Sequence, residues 1–334
     1  MKKVDESIRD QISDLIVGNG LTISEFALEK DFIVTEVLHA LTRIKDPTFD
    51  LVFCGGTCLS KAYGLLARIS EDVDIKVVTK SGVILSQDQR RSKISNLKKE
   101  IIKALVSVGF IEKEIKQEAL DGNAYVVFNA KYSSHFDVST AMRATMKLEL
   151  NSTTLSLESV NLDIGYLFNK LAGIRDPQKI KMPCVNIEEA LAEKLVSFPR
   201  RLAMHLSDPA RFKFDRALVR HLFDVNQILS ANSEQIHSKN LKPLLAAAMD
   251  KDAKDFAHQF PGFLTNPVAE MLNAMNVARS DAAYRKMYQE FVVVMVYGQS
   301  SPSFDDAINH FDAVLTSSLP PSNTNYLHHK PTPV

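Results

Sequence analysis

The sequence predicts an α/β chain of the α+β kind, a mixed sheet followed by a helical C-terminal domain, and three observations carry this. Leu51-Val52-Phe53, Gly55-Gly56 and the alternating Asp72-Val73-Asp74-Ile75-Lys76-Val77-Val78 follow one another as strand, turn with helix, and strand. Period-two patterning recurs between Tyr125 and Val160. From about Ile164 the pattern is almost entirely helical, with breaks expected at Pro177, Pro199, Pro209, Pro243, Pro261, Pro267 and Pro302. Residues 1–163 are therefore expected to form the core, led by helical periodicity from Ser7 to Ile44. Residues 164–318 are expected to form the helical domain, and 319–334, rich in Pro, Ser and Asn, read as a mobile tail. Strands are expected near Leu51, near Asp74, and over 125–132, 138–150 and 154–160.

The double glycine lets the backbone turn where side chains would clash. A helix starting at Thr57 points free amides and the positive end of its dipole at whatever lies over the turn, and a triphosphate fits there. Lys61 and Arg68 are seven residues apart, so if the helix continues they share a face and reach the same anion, with Ser60 adding a hydroxyl. In the next strand, Asp72 and Asp74 project from one face while Val73, Ile75 and Val77 pack on the other. Two carboxylates on one face repel unless a cation sits between them, and such oxygen ligands suit Mg²⁺ shared with phosphates. The plain alternative is a surface strand beside an Asp-x-Asp turn.

Gly55-Gly56-Thr57, Leu59-Ser60-Lys61, Tyr63-Gly64-Leu65, Arg68 and Ser70-Glu71-Asp72-Val73-Asp74 together resemble the AbiEii/AbiGii and MenT group of nucleotidyltransferase toxins. That group is a branch of the polymerase-beta-like nucleotidyltransferase superfamily. Upstream, residues 28–38 are similar to the family's leading helix, and the likeness continues weakly to about Leu229. The resemblance implies a metal-dependent nucleotidyltransferase that uses Mg²⁺ (or Mn²⁺) and an NTP. Gly55, Gly56, Thr57, Ser60, Lys61 and Arg68 would bind the nucleotide.

Later segments supply the rest of the expected site. Thr145, Lys147 and Glu149 share one strand face, and Glu149 is the expected third carboxylate beside Asp72 and Asp74, the three together holding the metal. A solvent-facing Lys/Glu strand is the alternative, and Lys147 competes for the role. Asn186 begins a capped helix in which Lys194 lies beside the apolar stripe Leu191, Leu195, Phe198. The resemblance makes Lys194 a nucleotide-facing lysine; alone it reads as an ordinary surface lysine. Arg216, Arg220 and Asp224 recur every four residues, which reads as an ion-pair ladder. The resemblance instead gives Asp224 a part in completing the site, and leaves His221, where the family has its aspartate after arginine, without an assigned role.

Composition narrows the classes. The chain has 334 residues, 45% hydrophobic, enough for two domains with real cores. No stretch approaches the ~18 apolar residues of a membrane span and no signal-peptide core follows Met1, so a cytoplasmic protein is expected. Cys54, Cys58 and Cys184 are wrongly spaced for zinc and read as small buried hydrophobes; His328-His329 is too short to be a metal site. With zero formal net charge, any nucleic acid must be held by a local patch. Two are candidates: Arg90, Arg91, Lys93, Lys98, Lys99 and Lys103, and Arg200, Arg201, Arg211, Lys213, Arg216 and Arg220.

The favoured activity is transfer of NMP from an NTP to an RNA hydroxyl. By resemblance the acceptor is the 3′ end of a tRNA, whose modification blocks translation, and the protein is the toxin of a toxin–antitoxin or phage-defence pair with a cognate antitoxin. The alternatives are nucleotidylation of a small molecule or protein by the same fold, and a non-enzymatic NTP-binding regulator. A same-face acid set argues against the last.

Overall fold

A computed structural model describes residues 1–19, 21–138, 142–232, 238–297 and 301–320. The expected tail from 321 onward, with His328 and His329, lies outside them. The described residues form two compact units, Met1–Asn186 with 295–297, and Ile187–Val294 with 301–320.

The first unit is built on a seven-stranded mixed sheet in the order β3-β4-β5-β2-β1-β7-β6. The strands are β1 (Phe49–Cys54), β2 (Asp72–Thr79), β3 (Ile115–Leu120), β4 (Tyr125–Lys131), β5 (Thr145–Ser152), β6 (Val160–Ile164) and β7 (Ile180–Cys184). Its helices are α1 (Glu6–Asn19), α2 (Glu25–Leu41), α3 (Gly55–Lys61), α4 (Gln87–Ser107) and α5 (Leu167–Leu171). Alternation gives the sheet two unlike faces. Val73, Ile75 and Val77 of β2, Leu148 and Leu150 of β5, and Val126 and Phe128 of β4 are buried in one core with Ile33, Val37, Ile94 and Ile101 of α2 and α4. Ser24 caps α2, accepting from the Ala27 amide at 3.2 Å, and Ser86 forms a full capping box with Gln89 on α4. The other face is left to the polar residues of the same strands.

Three expectations need correction. The boundary drawn at 163/164 falls inside the first unit, because β7 extends the sheet beyond it; helix begins in earnest at Ile187. A five-residue strand carrying Pro183 among other prolines gives little signal, and Pro is tolerated there because β7 meets β1 only at Phe53↔Cys184. The strand expected over 138–150 begins only at Thr145, the one expected over 154–160 lies instead at Val160–Ile164, and β3 was not foreseen. Pro199 and Pro243 do not break helices: they lie inside α6 (Ile187–Ser207) and α8 (Ser238–Asp255). Pro199 is buried, so packing offsets the lost amide bond.

In the second unit, α6 packs against α8 and α10 (Pro267–Ser280), and α7 (Arg220–Asn232) against α12 (Phe304–Ser318). Phe198 meets Phe311 edge to face at 5.6 Å. Pro261 and Pro267 open α9 (Pro261–Thr265) and α10, where a missing amide costs nothing. No helix among the described residues is long and apolar enough to cross a membrane.

Candidate active site

Strand pairing brings the first-unit carboxylates together. β2 and β5 run parallel with Asp72 opposite Lys147 and Asp74 opposite Glu149, so all four share the polar face. Cys54, the last residue of β1, lies opposite Asp74, and α3 starts at the next residue. Gly55 has φ +74°, and a Cβ there would overlap the Asp74 carboxylate; a Cβ at Gly56 would overlap the Arg68 guanidinium. The glycine pair is thus required by contact with the candidate site as well as by the turn. Gly55→Ala is expected to displace the Asp74 side chain and strain the backbone. Nucleotidyl transfer should fall by about 10²-fold or more while the circular dichroism spectrum stays that of the parent.

The cations of this face are paired with the acids. Arg143 binds the Asp72 carboxylate directly and approaches Glu71 at 3.8 Å, and Lys147 pairs with Glu149 on its own strand. Burial works against the Arg143 charge, yet Asp72 and Glu71 hold its pKa above the usual value. Lys30, 1% exposed, bonds Glu71 Oε2 and the Arg143 carbonyl, both at 2.5 Å, which ties the segment before β5 to α2. Burial pushes the Lys30 ammonium pKa down. Tyr125 on β4 completes the group: burial, then its hydrogen bond with Glu149, raises the phenol pKa. Arg143 and Tyr125 were not foreseen. Arg143 had a signal, since it shares parity with Thr145, Lys147 and Glu149.

α3 ends at Lys61, so Lys61 and Arg68 do not share a helix face. The chain turns at Gly64 (φ +69°) and runs back beside α3. Ser60 Oγ donates to the carbonyls of Leu66 at 3.2 Å and Arg68 at 3.4 Å, so its hydroxyl fastens this return. Thr57 Oγ1 bonds Ser70 Oγ at 2.8 Å and the Asp72 carbonyl, fixing the start of β2. Arg68 therefore returns to Gly56, at the acid end of α3. Lys61 lies at the other end, its Nζ 2.6 Å from Asp31 Oδ1. Residues 295–297 pair with this return: the Ile69 amide donates to the Met295 carbonyl at 2.8 Å, and the Tyr297 amide to the Ala67 carbonyl at 3.0 Å.

Among the described residues no three His, Cys, Asp or Glu side chains form a ready-made metal cage. The donors at Asp72, Asp74 and Glu149 are nevertheless all hard oxygens. Mg²⁺ commonly takes one or two carboxylates and completes its shell with water and substrate phosphates, so the acid set fits that ion without a closed cage. Cys58 and Cys184 are buried and Cys54 half-buried, all as free thiols.

In the second unit, Lys194 and Asp224 form a buried ion pair at 2.8 Å. Lys194 is thus no ordinary surface lysine. Arg216 to Val219 form a 3₁₀ turn and α7 starts only at Arg220, so the expected ladder of Arg216, Arg220 and Asp224 is broken; Arg216 pairs with Glu290 at 2.5 Å. His221 is buried with Nδ1 lacking a partner. Burial, then the Lys194 charge, pulls its pKa well below the ordinary value. A depressed histidine costs no stability above its unfolded pKa of about 6.5, and below that the unfolded chain binds a proton that the folded one refuses. Thermal stability should therefore fall from pH 7 towards 5, more steeply than in His221→Gln; equal slopes by calorimetry would refute this.

The second basic patch is only partly engaged inside the fold: Arg211, Lys213 and Arg216 are exposed, while Arg200 is buried. Arg200 is 5% exposed, pairs with Asp252 at 2.7 Å and stacks on Phe256 at 3.9 Å. Arg201 pairs with Asp215 at 3.4 Å, and Arg211 lies over Phe212. On α4, Arg90 bonds Ser152 and Thr79, and Lys98 bonds Asn123.

The model of the family described as nucleotidyl transferase AbiEii toxin, type IV TA system, matches residues 39–310. Among solved structures the chain is similar to MenT4, a nucleotidyltransferase toxin from Mycobacterium tuberculosis. Identity is 17% and the TM-score 0.45, with 93% of this chain and 99% of that one covered. No curated protein sequence matches.

Proposed function

The chain belongs to the AbiEii nucleotidyltransferase toxin family, and from that premise we propose that it transfers NMP from an NTP to an RNA hydroxyl, at the 3′ end of a tRNA, and so blocks translation. The observation that carries the reading is the register of Asp72 and Asp74 against Lys147 and Glu149, with Gly55 pressed on Asp74. Such a face has a chemical use where a polyphosphate and a cation meet. Bound Mg²⁺ (or Mn²⁺) would supply electrophilic stabilisation of the charge that develops on the phosphate in the transition state.

The chain's own residues do the rest. Asp72 and Asp74 hold the negative end of the site, and Arg68 supplies a fixed positive charge at the start of α3. Arg143 and Lys147 neutralise the acids and can turn to phosphate oxygens. Glu149 takes the proton as the acceptor oxygen attacks the α-phosphorus; the bond to the β-phosphate breaks and pyrophosphate leaves. Lys194 and Asp224 enter the proposal by family resemblance, as do the cognate antitoxin, the phage-defence role and a cytoplasmic setting.

The test is incubation of the protein with total RNA and each labelled NTP in turn, with Mg²⁺. Label in a tRNA-sized band is the expected result. Label only in protein or small molecules would replace the RNA acceptor with the corresponding class, and no label with any NTP would defeat the reading.

A further inference from the structure

A cavity of about 1210 Å³ opens in the first unit at the far end of α3, away from the acids. Its wall carries Lys61, Lys170, Arg175, Lys179 and Lys181. The last four are exposed and, among the described residues, make no ion pair or side-chain hydrogen bond. They come from α5, from the segment between α5 and β7, and from β7 itself. The acids of the same wall are mostly committed. Asp31 accepts from Lys61 and from the Leu167 amide at 3.0 Å, and Asp176 accepts from the Tyr166 and Gln178 amides at 2.7 and 2.9 Å. The third acid of the wall, Asp163, lies opposite Lys181 in the β6–β7 register.

We propose that this wall is the track on which the acceptor RNA lies, as a single strand, with phosphates against Lys170, Arg175, Lys179 and Lys181. The proposal rests on the transferase reading above and names the partner's binding site. A chain of zero net charge binds a polyanion only where its cations are gathered and unspent; Arg91, Lys93 and Lys99 on α4 are exposed too, but the four wall cations are the ones that lie at the end of α3, within a short reach of the acids. The four cations come from α5, from β7 and from the segment between them, and none is buried, which suits a line of phosphates better than one phosphate group. The volume also exceeds the roughly 300–1,000 Å³ of enclosed small-molecule sites. A seven-residue helix spans about 10 Å, so the track ends about that far from Asp74. A strand end can cover that gap and present its terminal hydroxyl, which a duplex interior cannot.

The test compares the parent, the fourfold Gln variant at 170, 175, 179 and 181, and a charge-preserving variant (Lys170→Arg, Arg175→Lys, Lys179→Arg, Lys181→Arg). Binding of a short fluorescein-labelled single-stranded RNA is followed by anisotropy across a salt series without NTP, and NTP binding is measured separately. The Gln variant should bind at least about tenfold more weakly, with its log–log salt slope reduced by about 0.7 per lost contact. NTP affinity should be unchanged, and the charge-preserving variant should bind like the parent. Equal RNA affinity and slope in parent and Gln variant, or failure of the parent to bind RNA, overturns the track. Loss of NTP binding in the Gln variant also overturns it, by assigning the wall to the triphosphate. Because the readout is binding alone, an active transferase with an unchanged slope refutes the track and leaves the function standing. An RNA-binding but inactive protein does the reverse.

Discussion

Asp74→Asn is expected to reduce nucleotidyl transfer by at least about 10³-fold, some 4 kcal/mol of transition-state stabilisation, with no loss of fold. Asp74 lies beside Glu149 across the β5 register and beside Cys54 across the β1 register, and Gly55 is so close to its carboxylate that a Cβ there would overlap it. The substitution keeps shape and volume, removes the charge and turns one acceptor oxygen into a donor. Its effect therefore reads the electrostatic role of the acid and not packing. Asp72→Asn should behave likewise, with one difference. It also frees Arg143, so part of the loss should return if Arg143→Ala is combined with it and the stray cation is the cause. Retention of more than a few per cent of parental turnover by both single variants, with NTP saturating, would remove the acids from the mechanism.

The region around these acids was legible because it is local. Alternation in Asp72–Val78 and a glycine pair between an apolar run and that strand are signals within a window of some thirty residues, and they place β1, α3 and β2 in the observed order, with α3 starting at Gly55 where the helix was expected from Thr57. The path of the chain beyond Lys61 was not legible. Whether a helix continues past Tyr63-Gly64 depends on Gly64 adopting positive φ and on Ser60 bonding the returning strand, neither of which leaves a periodic trace. The consequence was large, since Lys61 and Arg68 move from one shared face to opposite ends of α3. Arg143 shows the other kind of failure: its partner Asp72 is 71 residues away, and only the β2–β5 register brings them together. The Lys194–Asp224 pair is of the same kind, joined over 30 residues by the packing of α6 on α7.

That pair sets the second large effect. Asp224 is fully buried and the Lys194 side chain only 9% exposed, so both ions of the pair have given up water. Lys194→Met fits the apolar stripe in shape and leaves a carboxylate buried without its cation. Breaking a buried pair from one side costs about 3–5 kcal/mol, which for a unit of this size lowers the melting temperature by about 10 °C. Adding Asp224→Asn removes the buried charge that Lys194 had balanced, and the double variant should regain most of the loss. A melting temperature for Lys194→Met within about 2 °C of the parent would mean that the ion pair does not hold the second unit together. Activity then separates structure from chemistry. If the stable double variant transfers nucleotide normally, the pair serves only to pin α6 to α7. If it is stable and inactive at saturating NTP, Lys194 and Asp224 act in the reaction itself, because a purely structural pair would have returned turnover along with stability.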